Sequence, residues 1–257
     1  MPKAIPDSAK SGSPGDRLVL HGSPPMGDLA SASSPFVAKV ELFLRIMGID
    51  YDADFNMNGP KGKIPWITHG DVVLGDSTFI IEYLKNTYKG KLKIKEPETP
   101  QHKAINNSCL HICEGNLVYG IAYYRFLNPS GFAESKKFFD SLIPIPMRWF
   151  FPYLFQRTVR KNLYQQGLTR HSENDVNAIL TASFSALSTF LGDQPYFLGD
   201  EPCETDCIVF APLEGYLYDG TDTPGARLVR QFPNLVRFVD RLRARYFPVD
   251  KPGKIRP

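Results

Sequence analysis

The sequence predicts an α/β unit followed by an all-helical one. Two observations carry this: short alternating runs with two helical periodicities fill roughly the first 90 residues, and from about residue 97 the strand signals give way to long helical periodicities. The 257 residues suffice for two modest domains. The expected boundaries are a flexible tail over 1–16, the α/β unit over 17–92, the helical unit over 97–248 and a second tail over 249–257.

Arg17 to His21 alternates around Leu18-Val19-Leu20 as a first strand, and a Gly/Pro/Ser-rich loop leads on to Ser34. Pro35 suits the first helical position and Ser33 or Ser34 the cap. Phe36, Val37, Val40, Phe43, Leu44 and Met47 then recur at helical spacing until Gly48. Tyr51 to Phe55 alternates as a second strand. Residues 59–78 read as a strand, a turn at His69-Gly70-Asp71, another strand and a helix start at Asp76-Ser77. Pro65 has no N–H, so its place between Ile64 and Trp66 marks a strand edge or a cis peptide, and either bares backbone to a ligand. The helix start offers free N–H groups to a carboxylate, although a plain cap explains Asp76 and Ser77 equally well.

Helices are expected from Gln101 to Phe126, within Phe138 to Gln166, after Ser172 with Asp175 as its reciprocal cap, from about Cys203 to Leu217, and from Leu235 to Tyr246. Turns are expected at Asn128-Pro129, Gly192-Asp193, Gly199-Asp200 and Pro224-Gly225.

A net charge of +3 is too small to argue for nucleic acid, and the 42% hydrophobic content describes an ordinary globular chain. The first residues lack an apolar run and so do not read as a signal peptide. Cys109/Cys113 and Cys203/Cys207 are i,i+4 pairs, expected as reduced thiols in a cytoplasmic setting. His111 would point away from Cys109 and Cys113 on a helix, so no metal site is expected. Leu142 to Phe155 is too short and too proline-broken to span a bilayer, which needs about 20 apolar residues. With Arg157, Arg160, Lys161 and Arg170 after it, the stretch suits either a peripheral membrane or partner surface or a bent helix pair burying its aromatics.

The order of these features resembles the glutathione transferase superfamily, whose fold is a thioredoxin-like domain followed by a helical one. Ser34-Pro-Phe-Val-Ala-Lys-Val-Glu41, Pro60-Lys-Gly-Lys-Ile-Pro65, Gln166-Gly-Leu-Thr-Arg-His-Ser172, Phe197-Leu-Gly-Asp-Glu-Pro-Cys-Glu-Thr-Asp206 and Phe232-Pro-Asn-Leu-Val236 are similar to the failed axon connections branch, related to the metaxins. The resemblance implies glutathione as co-substrate: the Ile64 backbone beside a cis Pro65 on its cysteinyl part, Asp76 and Ser77 on its γ-glutamyl end, Lys63 near the glycyl carboxylate. It implies Ser34, with Ser33 as neighbour, as the hydroxyl facing the thiolate. Tyr119, Tyr123 and Arg125, with Tyr124, would line a pocket for a small hydrophobic electrophile, although core packing explains each tyrosine equally well, and since many relatives dimerise a homodimer is among the expectations. A transferase is the leading expectation. A non-catalytic metaxin-like scaffold and a glutathione-dependent lyase or isomerase are the alternatives. Two departures stand out: a short loop replaces the usual helix between Phe55 and Ile64, and Cys203 holds a capping position where Thr205 is the alternative.

Overall fold

The computed structural model describes residues 12–60, 62–248 and the backbone of 254–255. The tails expected at 1–11, 249–253 and 256–257 lie outside the described residues. The first unit comprises β1 (Leu18–His21), α1 (Pro35–Met47), β2 (Asp52–Asp54), β3 (Trp66–His69), β4 (Val72–Gly75) and α2 (Ser77–Thr87). β1 runs parallel to β2 and antiparallel to β3, which pairs antiparallel with β4. Part of the segment expected as a tail adds β5 (Lys254–Ile255), parallel to β2, so the sheet order is β4-β3-β1-β2-β5. At the other end, residues 12–16 also leave the expected tail, because the Gly12 N–H donates to the Tyr83 hydroxyl at 3.1 Å.

Helix α1 starts with Ser34 as cap and Pro35 in its first turn, and it stops at Gly48 in the left-handed region (φ 65°). Its Val37, Val40, Leu44 and Met47 are buried, and the helix packs against both α2 and the helical unit. Among the described residues no helix fills the loop between β2 and β3, as expected.

The helical unit contains α3 (Pro100–Ile112), α4 (Val118–Leu127), α5 (Pro129–Leu142), α6 (Phe151–Gln166), α7 (Glu173–Leu191), α8 (Glu204–Tyr218), α9 (Pro224–Val229) and α10 (Pro233–Tyr246). The long helix expected from Gln101 is α3 and α4 joined by one π turn, Cys113–Leu117. Two expected turns are in fact helix starts. Asn128 accepts the Ser130 N–H at 3.1 Å and Pro129 opens α5; Thr223 caps α9, which opens on Pro224. Proline costs nothing at the first helical position because its missing N–H would have no partner there. Ser172 and Asp175 form the expected reciprocal cap of α7.

α8 is apolar on every side and sits at the centre of the unit. Cys203 holds its cap position, and the Cys203 N–H donates to Asp206 Oδ2 at 2.7 Å. Thr205 instead donates to Asn106 at 2.7 Å, so the helix start does not shift. A single hydrophobic core runs from Leu18 in β1 through α1 and α8 to Leu242 in α10.

Candidate functional site

Strand register brings three chain segments to one end of the sheet. His21, which ends β1, pairs with Trp66 at the start of β3, and Trp66 pairs with Gly75 at the end of β4. The loop that leaves β1, the residues before Trp66 and the start of α2 therefore share that edge. The Ile64-Pro65 peptide is cis, and the Pro65 carbonyl accepts the Asp76 N–H at 3.2 Å.

Asp76 is exposed and is the one non-glycine described residue with positive φ, at 89°. Its Oδ1 accepts the Thr78 and Phe79 N–H groups at 3.0 and 3.4 Å, which leaves Oδ2 for a ligand. The cap of α2 therefore engages Oδ1 of the carboxylate. Ser77 is buried at the first turn of α2, Pro65 is buried, Ile64 is half-buried and Lys63 is exposed.

Ser34 is half-buried, and its hydroxyl makes no capping bond to α1. Its N–H donates to Ser23 Oγ at 3.0 Å. The loop that carries it is fastened to the helical unit. The Arg125 guanidinium donates to the Ser33 carbonyl at 2.7 Å and to Asp219 at 3.2 Å, and the buried Glu214 accepts the Ala30 N–H at 2.9 Å and the Ser31 hydroxyl. Burial pushes the Glu214 carboxyl above its usual range. Glu214 is the one charge in α8 beyond its first turn, a signal visible in the sequence yet passed over.

Arg125 does not reach an open cleft. It is buried, burial lowers its pKa against the opposing pull of Asp219, and its Nη2 has no partner among the described residues. Its work is to hold the Ser33-Ser34 backbone. Tyr124 is buried and bonded to Asn177, and Tyr123 lies near Glu173 and Arg160, where burial raises its pKa. Tyr119 is half-buried against the core. The expected residues thus fall into two groups. Ile64, Pro65, Asp76 and Ser77 come together at the sheet edge with the Ser34 loop, while Tyr124 is bonded to Asn177 and Arg125 bridges Asp219 and the Ser33 carbonyl.

Two features were missed in the sequence. Lys39 is buried, and its ammonium donates to Thr78 at 3.1 Å and to Glu114 of the π turn at 3.1 Å, tying α1, α2 and the helical unit together beside Ser77. Its spacing, three after Phe36 and four before Phe43, already put it on the apolar face of α1. His21 stacks on Trp66 at 3.5 Å and meets Asp54 at 2.6 Å and Thr68 at 3.3 Å, on the sheet face away from α1. A cavity of about 110 Å³ lies between β1, β2 and α1, lined by Leu20, Ser23, Val37, Glu41 and Tyr51 among others. None of Ser34, Ile64, Pro65, Asp76 and Ser77 lines it.

The four cysteines are free and buried. Burial pushes the Cys109 thiol up to about 12 and raises the other three as well, so none is a ready nucleophile. His111 is exposed while Cys109 and Cys113 are not, and no group of three metal-ligating side chains occurs among the described residues.

The family model described as "Glutathione S-transferase N-terminal domain" matches residues 35–131, and that described as "Glutathione S-transferase, C-terminal domain" matches 180–242. The isoprene-epoxide–glutathione S-transferase of Rhodococcus sp. (strain AD45) is 30% identical over 225 residues, 83% of this chain and 92% of that protein. Failed axon connections of Drosophila melanogaster is 26% identical over 86% of this chain, which spans 56% of that protein's length. Human (Homo sapiens) metaxin-2 is 24% identical over 76% of this chain and 74% of its own. The fold matches the β-etherase LigF of Sphingobium sp. strain SYK-6 with a TM-score of 0.61 at 18% identity, covering 92% of this chain and 96% of that one. By the match to both family models and to the isoprene-epoxide transferase, the chain belongs to the glutathione S-transferase superfamily.

Proposed function

We propose that this chain is a binding protein of glutathione transferase fold that retains a glutathione site and acts by holding the thiol rather than by rapid conjugation. The observation that supports this is the division among the expected residues. The groups suited to a peptide backbone and an amino-acid head meet at the sheet edge. Of the side chains expected to receive an electrophile, Arg125 is engaged with Asp219 and the Ser33 carbonyl and Tyr124 with Asn177, while Tyr119 and Tyr123 pack half-buried against the core. In this reading the Ile64 backbone pairs with the cysteinyl unit. Asp76 Oδ2 accepts from the γ-glutamyl ammonium, Ser77 and the α2 N-terminus take its carboxylate, and the exposed Lys63 meets the glycyl carboxylate.

A second reading, a transferase, is favoured by one observation: the Ser34 hydroxyl is not spent on capping α1. It could donate to a bound thiolate and lower the thiol pKa from ~8.5 towards neutrality. The identity with the isoprene-epoxide enzyme supports it too.

Calorimetry with glutathione beside a conjugation assay with chlorodinitrobenzene separates the two. Binding with turnover at background supports the binding protein. Turnover that collapses in Ser34→Ala while affinity holds would hand the site to the transferase reading, and absence of glutathione binding would remove the site altogether.

A further inference from the structure

Between Asp140 and Glu173 the chain has no carboxylate side chain, yet it carries Arg148, Arg157, Arg160, Lys161 and Arg170, more positive charge than the whole protein's net +3. Large apolar side chains stand in solvent along the same stretch. Trp149 is 68% exposed, Ile145 61%, Leu154 56%, Tyr153 52% and Phe150 49%. These are not core residues that failed to pack. The helix pair already has its own aromatic core, in which Phe155 meets Phe126 at 5.1 Å and Phe139 at 5.2 Å.

Apart from Arg148, which lies at the tip and donates to the Ile143 carbonyl at 3.3 Å, the two kinds of side chain are also separated along the axis of α6. Ile145, Trp149 and Phe150 form the tip between α5 and α6, with Tyr153 and Leu154 on the first turn of α6. Arg157 and Lys161 follow on the same exposed face, the latter about 10 Å along the axis from Leu154. Arg157, Arg160 and Lys161 are exposed and form no ion pair among the described residues. An apolar tip with cations about 5–10 Å behind it along the helix axis matches a bilayer surface, where an apolar face sinks ~5–10 Å and anionic headgroups lie just above. Trp and Tyr favour that boundary because one end of each ring system is apolar and the other is polar.

We propose that the α5–α6 tip docks this protein on an anionic lipid bilayer, with Trp149, Phe150 and Leu154 entering the headgroup–acyl boundary and Arg157, Arg160 and Lys161 meeting lipid phosphate and carboxylate groups. The contact is peripheral, since among the described residues no helix is long and apolar enough to cross a membrane. It does not depend on the glutathione site, whose residues lie on the sheet of the other unit.

The unsubstituted protein is centrifuged with vesicles of phosphatidylcholine alone and of phosphatidylcholine mixed with phosphatidylserine. The chain has two tryptophans, so in Trp66→Phe the emission reports residue 149 alone. Cosedimentation and a blue shift are expected with the mixed vesicles. The triple variant Arg157→Gln, Arg160→Gln, Lys161→Gln is expected to lower partitioning by roughly a hundredfold, about fivefold per cation. Trp149→Ser with Phe150→Ser is expected to abolish the sedimentation, and Phe150→Ser with Leu154→Ser, which keeps the Trp149 reporter, is expected to abolish the blue shift. These positions are exposed, and an unchanged circular-dichroism melt verifies the fold of each variant. No cosedimentation with mixed vesicles, or equal binding by the triple variant, overturns the proposal. So does a concentration-dependent dimer that the Trp149/Phe150 variant abolishes in a protein that ignores vesicles, because the face then belongs to a second copy of the chain.

Discussion

Asp76 caps α2 and, in the proposed function, also receives the γ-glutamyl ammonium, and a substitution can separate the two roles. Asp76→Asn keeps an oxygen for the Thr78 and Phe79 N–H groups and a residue type tolerant of positive φ, so unfolding free energy is expected to change by less than ~0.5 kcal/mol in urea titrations. Loss of the charge is expected to weaken glutathione binding by about tenfold in calorimetry. Asp76→Ala removes the cap as well and is expected to cost about 1–2 kcal/mol. Arg125 offers the opposite case, a residue whose effect on the site passes through the fold. Arg125→Met leaves the buried Asp219 without its cation and frees the Ser33 carbonyl, at an expected cost of ~3 kcal/mol or more. Arg125→Met with Asp219→Asn should recover part of that loss, since the two residues are coupled. Additive losses in a double-mutant cycle would mean that the pair does not act as a unit.

At the scale of elements, close helix packing depends on small residues as much as on large ones. Gly120 lets α4 approach α7 and α8: a Cβ there would meet the Tyr216 hydroxyl, and would lie 2.7 Å from a Leu180 methyl. Gly120→Ala is expected to cost ~1–3 kcal/mol, read as a melting point lower by about 2–4 °C for each kcal/mol. The elements themselves were largely legible. Local period, the Ser172–Asp175 cap and Gly48 marked their helices because such signals act within one or two turns. Pro129 and Pro224 misled, since proline favours both a turn and the first residue of a helix, and the choice depends on whether the next residues find something to pack against. The π turn left no local mark. Its Glu114 reaches Lys39, 75 residues away in sequence, and a helical period cannot show that partner.

Across the whole molecule, buried carboxylates join parts that are distant in the chain, and they make stability depend on pH. Asp206 is buried and accepts the Phe197 and Cys203 N–H groups at 2.9 and 2.7 Å, pinning α8 to the segment that precedes it. Burial raises its pKa from 3.8 to about 6. A raised folded-state pKa means that the folded protein binds the proton more tightly. The stabilisation is fully present below about pH 4 and is lost as pH rises through about 6, amounting to about 3 kcal/mol for this group. Urea titrations at pH 4 and pH 7 measure the difference. Asp206→Asn should flatten the dependence over that window while losing one backbone hydrogen bond; an unchanged slope would assign the effect to another group.

Sequence alone determined the two-unit architecture, the extent of α1, the cis-compatible Pro65 and the cap at Asp76, because each follows from backbone preferences of residues close together in the chain. The tertiary structure decided who pairs with whom. His21 meets Asp54 across 33 residues, Lys39 meets Glu114 across 75 and Arg125 meets Asp219 across 94. The same holds for the aromatics at and before the start of α6: spacing could not say whether Trp149 and Phe155 share a fate, and packing sets the half-buried Phe155 among other rings while Trp149 stands in solvent. Burial and ion pairing are properties of surfaces that only the assembled fold creates.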